Sequence, residues 1–277
     1  MVKLVLAESG GFKDIPHLFH FLELLFVGLV VLFRRGYSFD DVTTISFPQW
    51  KNGSWKGKVH NHNEFILNKI FKNYTISHES FKDDSDVVFV DRALCDKGDM
   101  NKAWAKYIQL FNPYAWSIRW GGPQSVYQHN RIPVVTYIDR QATVRRMPDL
   151  MHEKLLSYLR GYKGICFIHV KMEDHDFKTQ EGVSRRTDLL VGVHGNGLSH
   201  CAFMRPRRNV VEIYPSGMRF QYDYYTLAKM MGHEYTCVYS GAVARVHALS
   251  NESPPSITSH FDTEILGEII RQLKKLH

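Results

Sequence analysis

A glycine-rich turn is the feature of this chain best suited to chemistry. The apolar run Leu189 to Val193 predicts a buried strand, and Gly195 and Gly197 then flank Asn196 before a helix predicted from about Leu198. Glycine lets a backbone approach a ligand closely, and a helix N-terminus offers N–H donors and the positive end of its dipole. Such a turn can hold a phosphate or a diphosphate. The spacing is G-x-G-x-x-H rather than the dinucleotide-binding G-x-G-x-x-G, so a turn without a ligand stays open as the alternative.

The second group of candidate residues is basic. The predicted strand Val134 to Ile138 is followed by Arg140, Arg145 and Arg146. Guanidinium groups match phosphate oxygens with two parallel hydrogen bonds. We therefore expect Arg140 and one of Arg145 or Arg146 to clamp a diphosphate opposite the glycine turn. A solvated basic loop is the alternative interpretation.

Two further places carry carboxylates in unusual settings. Glu212 lies inside the apolar run Val210 to Tyr214, and a buried carboxylate is costly unless something bonds to it. A ribose diol or a backbone turn could do so. On the first predicted helix, His17, His20 and Glu23 recur every third residue and share a face. Such a group could take a proton from an attacking hydroxyl, whereas a polar patch at a helix start is the alternative.

Composition narrows the function classes. The 277 residues include 35 Lys and Arg against 28 Asp and Glu, an excess that suits a phosphate-bearing or acidic ligand. The chain lacks zinc-finger spacing, an RRM motif and a long basic run, so no nucleic-acid partner is expected. P-loop and nucleophile-elbow motifs are also absent. The four cysteines form no C-x-x-C pair, so neither a zinc site nor a redox dithiol is expected; Cys166 and Cys201 are predicted to be buried.

The most apolar run extends from Leu18 to Phe33. It is shorter than the roughly 20 residues that span a bilayer. We interpret it as a core helix, with a membrane anchor as the alternative. Asn52, Asn73 and Asn251 begin glycosylation sequons, which hint at a secretory route.

Predicted strands alternate with predicted helices along the chain, a pattern typical of parallel sheets with right-handed crossovers. The segment from Gly121 to Pro133 separates two such series. We therefore predict two Rossmann-like halves facing a cleft. The predicted domains are residues 1–130, residues 131–260, and a C-terminal helix over 261–277.

These motifs together resemble glycosyltransferase family 61. The most specific part is His-Gly-x-Gly-Leu-Ser followed by Val-Val-Glu-Ile. The early Phe19-His20-Phe21-Leu22-Glu23 segment is a weaker match. The matching elements of the second half are Val135 to Arg146, Phe177 to Gln180, Asp188 to His200, and Val210 to Pro215.

The resemblance implies a GT-B fold and inverting transfer from a UDP-sugar to a hydroxyl of a glycan or glycoprotein. It implies no cofactor and no obligatory metal, with N-acetylglucosamine or xylose as the expected sugar. It places the diphosphate on Arg140, Arg145 and the turn from His194 to Leu198. Glu212 would lie by the nucleoside, and His20 or Glu23 near the acceptor. The resemblance also implies the lumen of the Golgi or endoplasmic reticulum, with membrane attachment only through a stem or anchor outside this chain.

Two departures from the family pattern favour a second hypothesis. Asp139 stands where the family usually has Ser, and a carboxylate beside a diphosphate is unfavourable unless a cation pairs with it. The chain is also short for two complete domains, so a truncated N-terminal domain is an alternative to a complete one. The second hypothesis is an inactive sugar-nucleotide or glycan-binding protein of the same fold.

Overall fold

A computed structural model describes residues 1–7, 15–57, 60–82, 85–91, 109–120, 131–214, 221–239, 242–244 and 261–276. The chain divides into two compact units, Met1–Asn112 and Pro113–His277. Each unit contains a sheet built mainly of parallel strands with helices packed on it. This confirms the mixed α/β class and is consistent with two Rossmann-like domains.

The first unit is built on a parallel sheet of short strands. Their order across the sheet is β3-β2-β1-β4, so the chain extends the sheet in one direction from β1 and then returns to its other side. The helices α1 and α2 connect these strands. The bounds are β1 Val2–Ala7, α1 Leu18–Arg34, β2 Val42–Ser46, α2 His62–Ile70, β3 Thr75–Ser77 and β4 Val87–Asp91.

Helix α1 forms the core of the first unit, as its apolar sequence predicts. Most of its residues are buried, and it packs on β1 and β4. Gly28 makes the close approach possible, since a Cβ there would lie 3.2 Å from the side chains of Leu4 and Leu6. None of the helices in the described ranges is both long and apolar enough to cross a bilayer.

The second unit holds a larger sheet and more helices. A 3-10 helix over Asn196–Phe203 follows β7 directly. The other elements are α3 Pro113–Arg119, β5 Val134–Ile138, α4 Asp149–Gly161, β6 Cys166–Val170, α5 Phe177–Arg186, β7 Leu189–Val193, β8 Asn209–Tyr214, α6 Asp223–Met230, β9 Glu234–Tyr239, β10 Ala242–Ala244 and α7 Phe261–Lys274.

The strand order of the second sheet changes direction at one point. The order is β10-β9-β8-β7-β5-β6, and only β10 is antiparallel. From β5 the chain first moves outward to β6 and then crosses back to β7 on the other side of β5. The crossover helices of β5 and β7 therefore diverge, and in such sheets ligands bind beyond the carboxyl ends of the two strands.

Helices cover both faces of this sheet. On one face, α4 and α7 contribute leucines and isoleucines to a core shared with residues such as Val135, Tyr137 and Val191. On the other face, Leu198 of the 3-10 helix packs against Gly192, where a Cβ would lie 3.1 Å from its side chain. Helices α5 and α6 contact that 3-10 helix.

Several elements differ from the sequence prediction. The short strands β3 and β10 were not predicted, and the helix after β7 is a 3-10 helix that starts at Asn196 rather than an α-helix from Leu198. The sequence from Met100 to Trp120 predicts a helix that Pro113 breaks, but Pro113 instead begins α3, because proline lacks only an N–H that a first helical turn leaves unpaired. Trp116 joins α3 to the 3-10 helix of the same unit, because its indole N–H donates to the carbonyl oxygen of Ala202 at 2.7 Å.

Other predictions fall partly or wholly outside the described residues. These are the helix predicted near residues 100–108, the boundary segment at 121–130, Cys95 and the sequon at Asn251. The structure places the division of the chain after Asn112, earlier in the sequence than the predicted boundary. Cys201 is buried as predicted, but the prediction for Cys166 was wrong because its position on the edge strand β6 leaves it exposed.

Candidate functional site

The structure brings Arg140 and the glycine turn together. Arg140 follows β5 directly, and Gly195 lies just beyond the end of the neighbouring β7. The Arg140 guanidinium lies so close over Gly195 that a Cβ on that residue would overlap it. Gly195 also has φ of 149°, a backbone conformation that side-chain-bearing residues rarely adopt. Glycine is thus required here for both its conformation and its lack of a side chain.

The charge of Arg140 has no carboxylate partner in the described part of the chain. Its side chain is half-buried, and its Nε atom is buried without a hydrogen-bond partner. Burial lowers the pKa of the guanidinium, and the nearby charge of Arg145 lowers it further, while Tyr224 and the Glu173 carboxylate act in the opposite direction. A half-buried cation with no carboxylate in direct contact is costly, so this arrangement favours an anion as its partner.

Hydrogen bonds fix the loop that carries these arginines. Gln141 closes the loop onto Met147, donating to its carbonyl at 3.0 Å and accepting from its N–H at 3.1 Å. The positive charge of Arg145 acts to lower the pKa of both Arg140 and Tyr224. Arg145 and Arg146 are both exposed, but Arg146 lies 3.2 Å from Asp149 in an ion pair. The structure therefore distinguishes the two arginines that the sequence left as alternatives.

A buried hydrogen-bonded group lies behind the turn. Nδ1 of His194 lies 2.5 Å from one carboxylate oxygen of Glu212, and the Tyr235 hydroxyl donates to the other. The imidazole also packs against the rings of Tyr214 and Tyr224, with centroids 4.9 and 5.2 Å away. Burial raises the pKa of the Glu212 carboxyl, and the hydrogen bonds from His194 and Tyr235 oppose that effect. The group fixes the ring orientation of His194.

His200 connects the underside of the turn to α5. Its Nδ1 lies 2.9 Å from the Gly197 carbonyl oxygen, and its Nε2 lies 2.8 Å from Oε1 of Gln180. The amide nitrogen of Gln180 donates to the carbonyls of Met172 and His175, so its oxygen faces His200. Both imidazole nitrogens thus face oxygen atoms, and His200 joins the Gly197 carbonyl to α5.

Comparison with known proteins agrees with this geometry. The family model described as Glycosyltransferase 61 matches residues 14–211, which include α1, the Arg140 loop and the glycine turn. The chain belongs to glycosyltransferase family 61. It is also 31% identical over 80 residues to the EGF domain-specific O-linked N-acetylglucosamine transferase of Drosophila melanogaster. That match covers 29% of this chain and only 15% of that protein.

Three residues of the predicted donor set also have contacts within the fold. Glu212 is fully buried, and its two carboxylate oxygens bond to His194 and Tyr235, so it positions His194. Gly197 is needed for packing, because a Cβ there would lie 2.8 Å from Ile138. Asn196 bonds through its side-chain oxygen to Ser199 at 3.1 Å.

Asp139, the departure from the family pattern, is directed away from Arg140. Its carboxylate accepts from the Gln141 N–H at 2.7 Å and lies 2.9 Å from Nε2 of His169. Burial alone would raise its pKa, but these hydrogen bonds and the neighbouring histidines hold the pKa below its ordinary value. The Asp139 carboxylate thus bonds to Gln141 and His169 rather than to Arg140.

The early motif of this glycosyltransferase lies on α1 in the first unit. Nδ1 of His20 is 3.5 Å from Oε2 of Glu23, and their side chains are largely buried. The ring of His17 lies 5.0 Å from that of His20. The shared face predicted from their spacing is therefore present.

Sequence reasoning missed the residues that support this site from other elements. Tyr235 contacts Glu212, and Tyr224 contacts His194. Neither tyrosine belongs to a motif, and their positions in the sequence do not indicate these contacts. His169 gave one usable signal. It is paired in register with Tyr137, so it projects from the same face of the sheet as Tyr137 and, two residues on, Asp139.

Proposed function

We propose that this chain transfers a sugar from a UDP-sugar to a hydroxyl group, with inversion at the anomeric carbon. The observation that carries the proposal is the half-buried Arg140 guanidinium, which lies over Gly195 at the strand crossover without a carboxylate partner among the described residues. A diphosphate would supply a counter-charge in direct contact with the guanidinium. Family membership supports the same chemistry.

In the proposed reaction, the acceptor oxygen bonds to the anomeric carbon as the bond from that carbon to the UDP oxygen breaks. Negative charge then builds on the leaving diphosphate. Arg140, Arg145 and the N-terminus of the 3-10 helix would stabilise it. With these positive groups available, the diphosphate requires no metal ion. His194 would add its Nε2 atom, which lies across the ring from the nitrogen held by Glu212.

We assign proton removal from the acceptor hydroxyl to the His20 and Glu23 pair on α1. The proposed overall architecture is GT-B, with the first unit on the acceptor side. The proposed acceptor is a glycan or glycoprotein, and N-acetylglucosamine or xylose is the proposed sugar. The named relative transfers N-acetylglucosamine, which supports the first of these sugars. Related enzymes support a secretory-pathway location, and Asn52 and Asn73 are exposed at their sequons.

UDP binding tests the donor site directly. We expect UDP to bind the full chain in calorimetry and Arg140→Ala to weaken it by at least tenfold, since a charge-assisted hydrogen bond contributes about 1.5–3 kcal/mol. Gly195→Ala should have a similar effect, because its Cβ would displace the guanidinium. Arg160→Ala is the matched control, as Arg160 is an exposed arginine near the end of α4.

Equal UDP affinity in Arg140→Ala and the Arg160 control would contradict the donor site. Turnover then separates the two hypotheses of function. Release of UDP from UDP-N-acetylglucosamine or UDP-xylose by the purified chain, lost in Arg140→Ala, would support the enzyme. UDP binding without hydrolysis or transfer for any offered acceptor would favour the inactive binding protein.

A further inference from the structure

Three potential metal ligands meet on the face of the second sheet that α4 covers. They come from three elements: Asp139 follows β5, His152 lies in α4, and His169 lies in β6. One ligand atom from each lies within 4.8 Å of the other two. Oδ2 of Asp139 is 2.9 Å from Nε2 of His169 and 3.9 Å from Nε2 of His152.

His152 gives independent support for a ligand at this point. Its side chain is only 9% exposed, and its Nε2 atom is buried without a hydrogen-bond partner. The Tyr137 ring packs against both imidazoles, with centroids 5.6 and 5.7 Å away, and its hydroxyl is also buried without a partner. Buried polar atoms in proteins are nearly always satisfied, so two such atoms in one cluster indicate a missing partner.

We propose that Asp139, His152 and His169 bind a divalent transition-metal ion of the zinc class. Two imidazole nitrogens and one carboxylate oxygen are ligands that zinc takes, with water able to fill a fourth position. Tetrahedral ligands at zinc distances are separated by about 3.3 Å. Compared with that value, His169 lies closer to Asp139, at 2.9 Å, and His152 lies further away, at 3.9 Å, so a bound ion would have to shift both imidazoles slightly. His169 is open to solvent and provides an entry path.

The surroundings of the cluster are suited to this role. The second oxygen of Asp139 accepts from the Gln141 N–H at 2.7 Å, and such outer hydrogen bonds orient metal ligands. A bound ion would join α4 to β6 and to the residue that precedes Arg140. It would thereby fix the start of the arginine loop from the opposite face of the sheet. The ion would act on structure, and the proposal does not depend on the donor site.

Zinc binding to the untagged full chain tests the proposal, because a histidine tag would itself bind zinc. After chelator treatment and dialysis, we expect calorimetry to show one Zn²⁺ bound through this site, and zinc to raise the melting temperature by mass action. His169→Ala should weaken binding at least tenfold and abolish the melting-temperature rise. Asp139→Asn, which preserves side-chain shape, should do the same. Co²⁺ should give visible absorption bands in the wild type that His169→Ala lacks.

His175→Ala is the matched control, because His175 is an exposed histidine outside the cluster, and it should bind zinc like the wild type. Circular dichroism checks that each variant is folded. Absence of zinc binding by the wild type, or equal affinity in His169→Ala and His175→Ala, would overturn the proposal. UDP calorimetry on the same samples without zinc reports on the donor site separately, so failure of one proposal is distinguishable from failure of the other.

Discussion

At the scale of single residues, the candidate site depends on a charge whose partner is not a protein carboxylate. Asp139 is adjacent to Arg140 in sequence, yet its carboxylate bonds to Gln141 and His169. The guanidinium instead lies over Gly195, where the turn leaves no room for a side chain. Separating the two neighbouring charges keeps Arg140 available for an anion that arrives from solution.

The two arginines of the loop should differ in their effect on UDP affinity. We expect Arg145→Ala to weaken UDP binding about tenfold, because its charge acts on Arg140 and Tyr224 and one charge-assisted contact is worth about 1.5 kcal/mol. Arg146→Ala should change the affinity less than twofold, since Arg146 is exposed and pairs with Asp149. Calorimetry with UDP compares them, and a larger loss in Arg146→Ala would reverse the assignment.

How much of this site could be predicted depends on what the backbone pattern fixes. The proximity of Arg140 and Gly195 was predictable, because each follows a strand and neighbouring parallel strands end at one edge. The place of Glu212 was not, because strand alternation does not identify the partner of a buried side chain. His152 could not be assigned to the Asp139 cluster either, since the rotation of α4 over the sheet depends on packing.

At the scale of elements, strong periodicity was predictive and short segments were not. The strands β5 and β7 have the predicted bounds. The strands β3 and β10 are too short to show alternation. The turn after β7 begins as a 3-10 helix. Its first hydrogen bond runs from the Leu198 N–H to the Gly195 carbonyl oxygen at 2.9 Å, which is the i→i+3 pattern of that helix.

The amino-terminal edge of the same sheet is held by Asp188, just before β7. Its buried carboxylate pairs with Arg131, with Arg205 at 2.9 Å and with Arg208 at 3.1 Å, and it accepts from the Val134 N–H at 2.9 Å. We expect Asp188→Ala to lower the free energy of unfolding by about 3–5 kcal/mol, because it leaves several guanidinium groups partly buried without their counter-charge. Denaturant unfolding measures this change.

Glu234→Gln provides the control for Asp188→Ala. Glu234 pairs with Lys275, but both side chains are well exposed, at 59% and 40%. An exposed pair contributes about 0–1 kcal/mol, so this variant should unfold nearly like the wild type. If the two variants lose similar free energies of unfolding, burial of the Asp188 ion pairs does not determine how much they stabilise the protein.

At the scale of the whole molecule, the family match extends across both units, although the two are separate compact bodies in the chain. The predicted proton-accepting pair lies in the first unit, and the predicted donor residues lie in the second. The proposed UDP binding involves residues of the second unit alone, and the stability of that unit sets the conditions under which it can be measured.

Acid should destabilise the second unit through His233. This buried imidazole accepts from the Arg208 N–H at 3.0 Å through Nδ1, so its Nε2–H donates to the Cys201 carbonyl at 2.9 Å. Burial lowers its pKa to about 4, against about 6.5 in an unfolded chain. Between these values the unfolded chain binds the additional proton, so stability is complete above about pH 6.5 and falls as the pH drops toward 4.

Because protonation of His233 is linked to unfolding, we expect the free energy of unfolding to fall by about 3 kcal/mol at pH 4. Melting temperatures of the wild type and His233→Gln across this range measure it, because glutamine has both a donor and an acceptor but does not titrate. The wild type and His233→Gln share all other titrating groups, so the difference between their curves of melting temperature against pH is due to His233. Parallel curves from pH 6.5 to 4 would show that this imidazole does not govern acid stability.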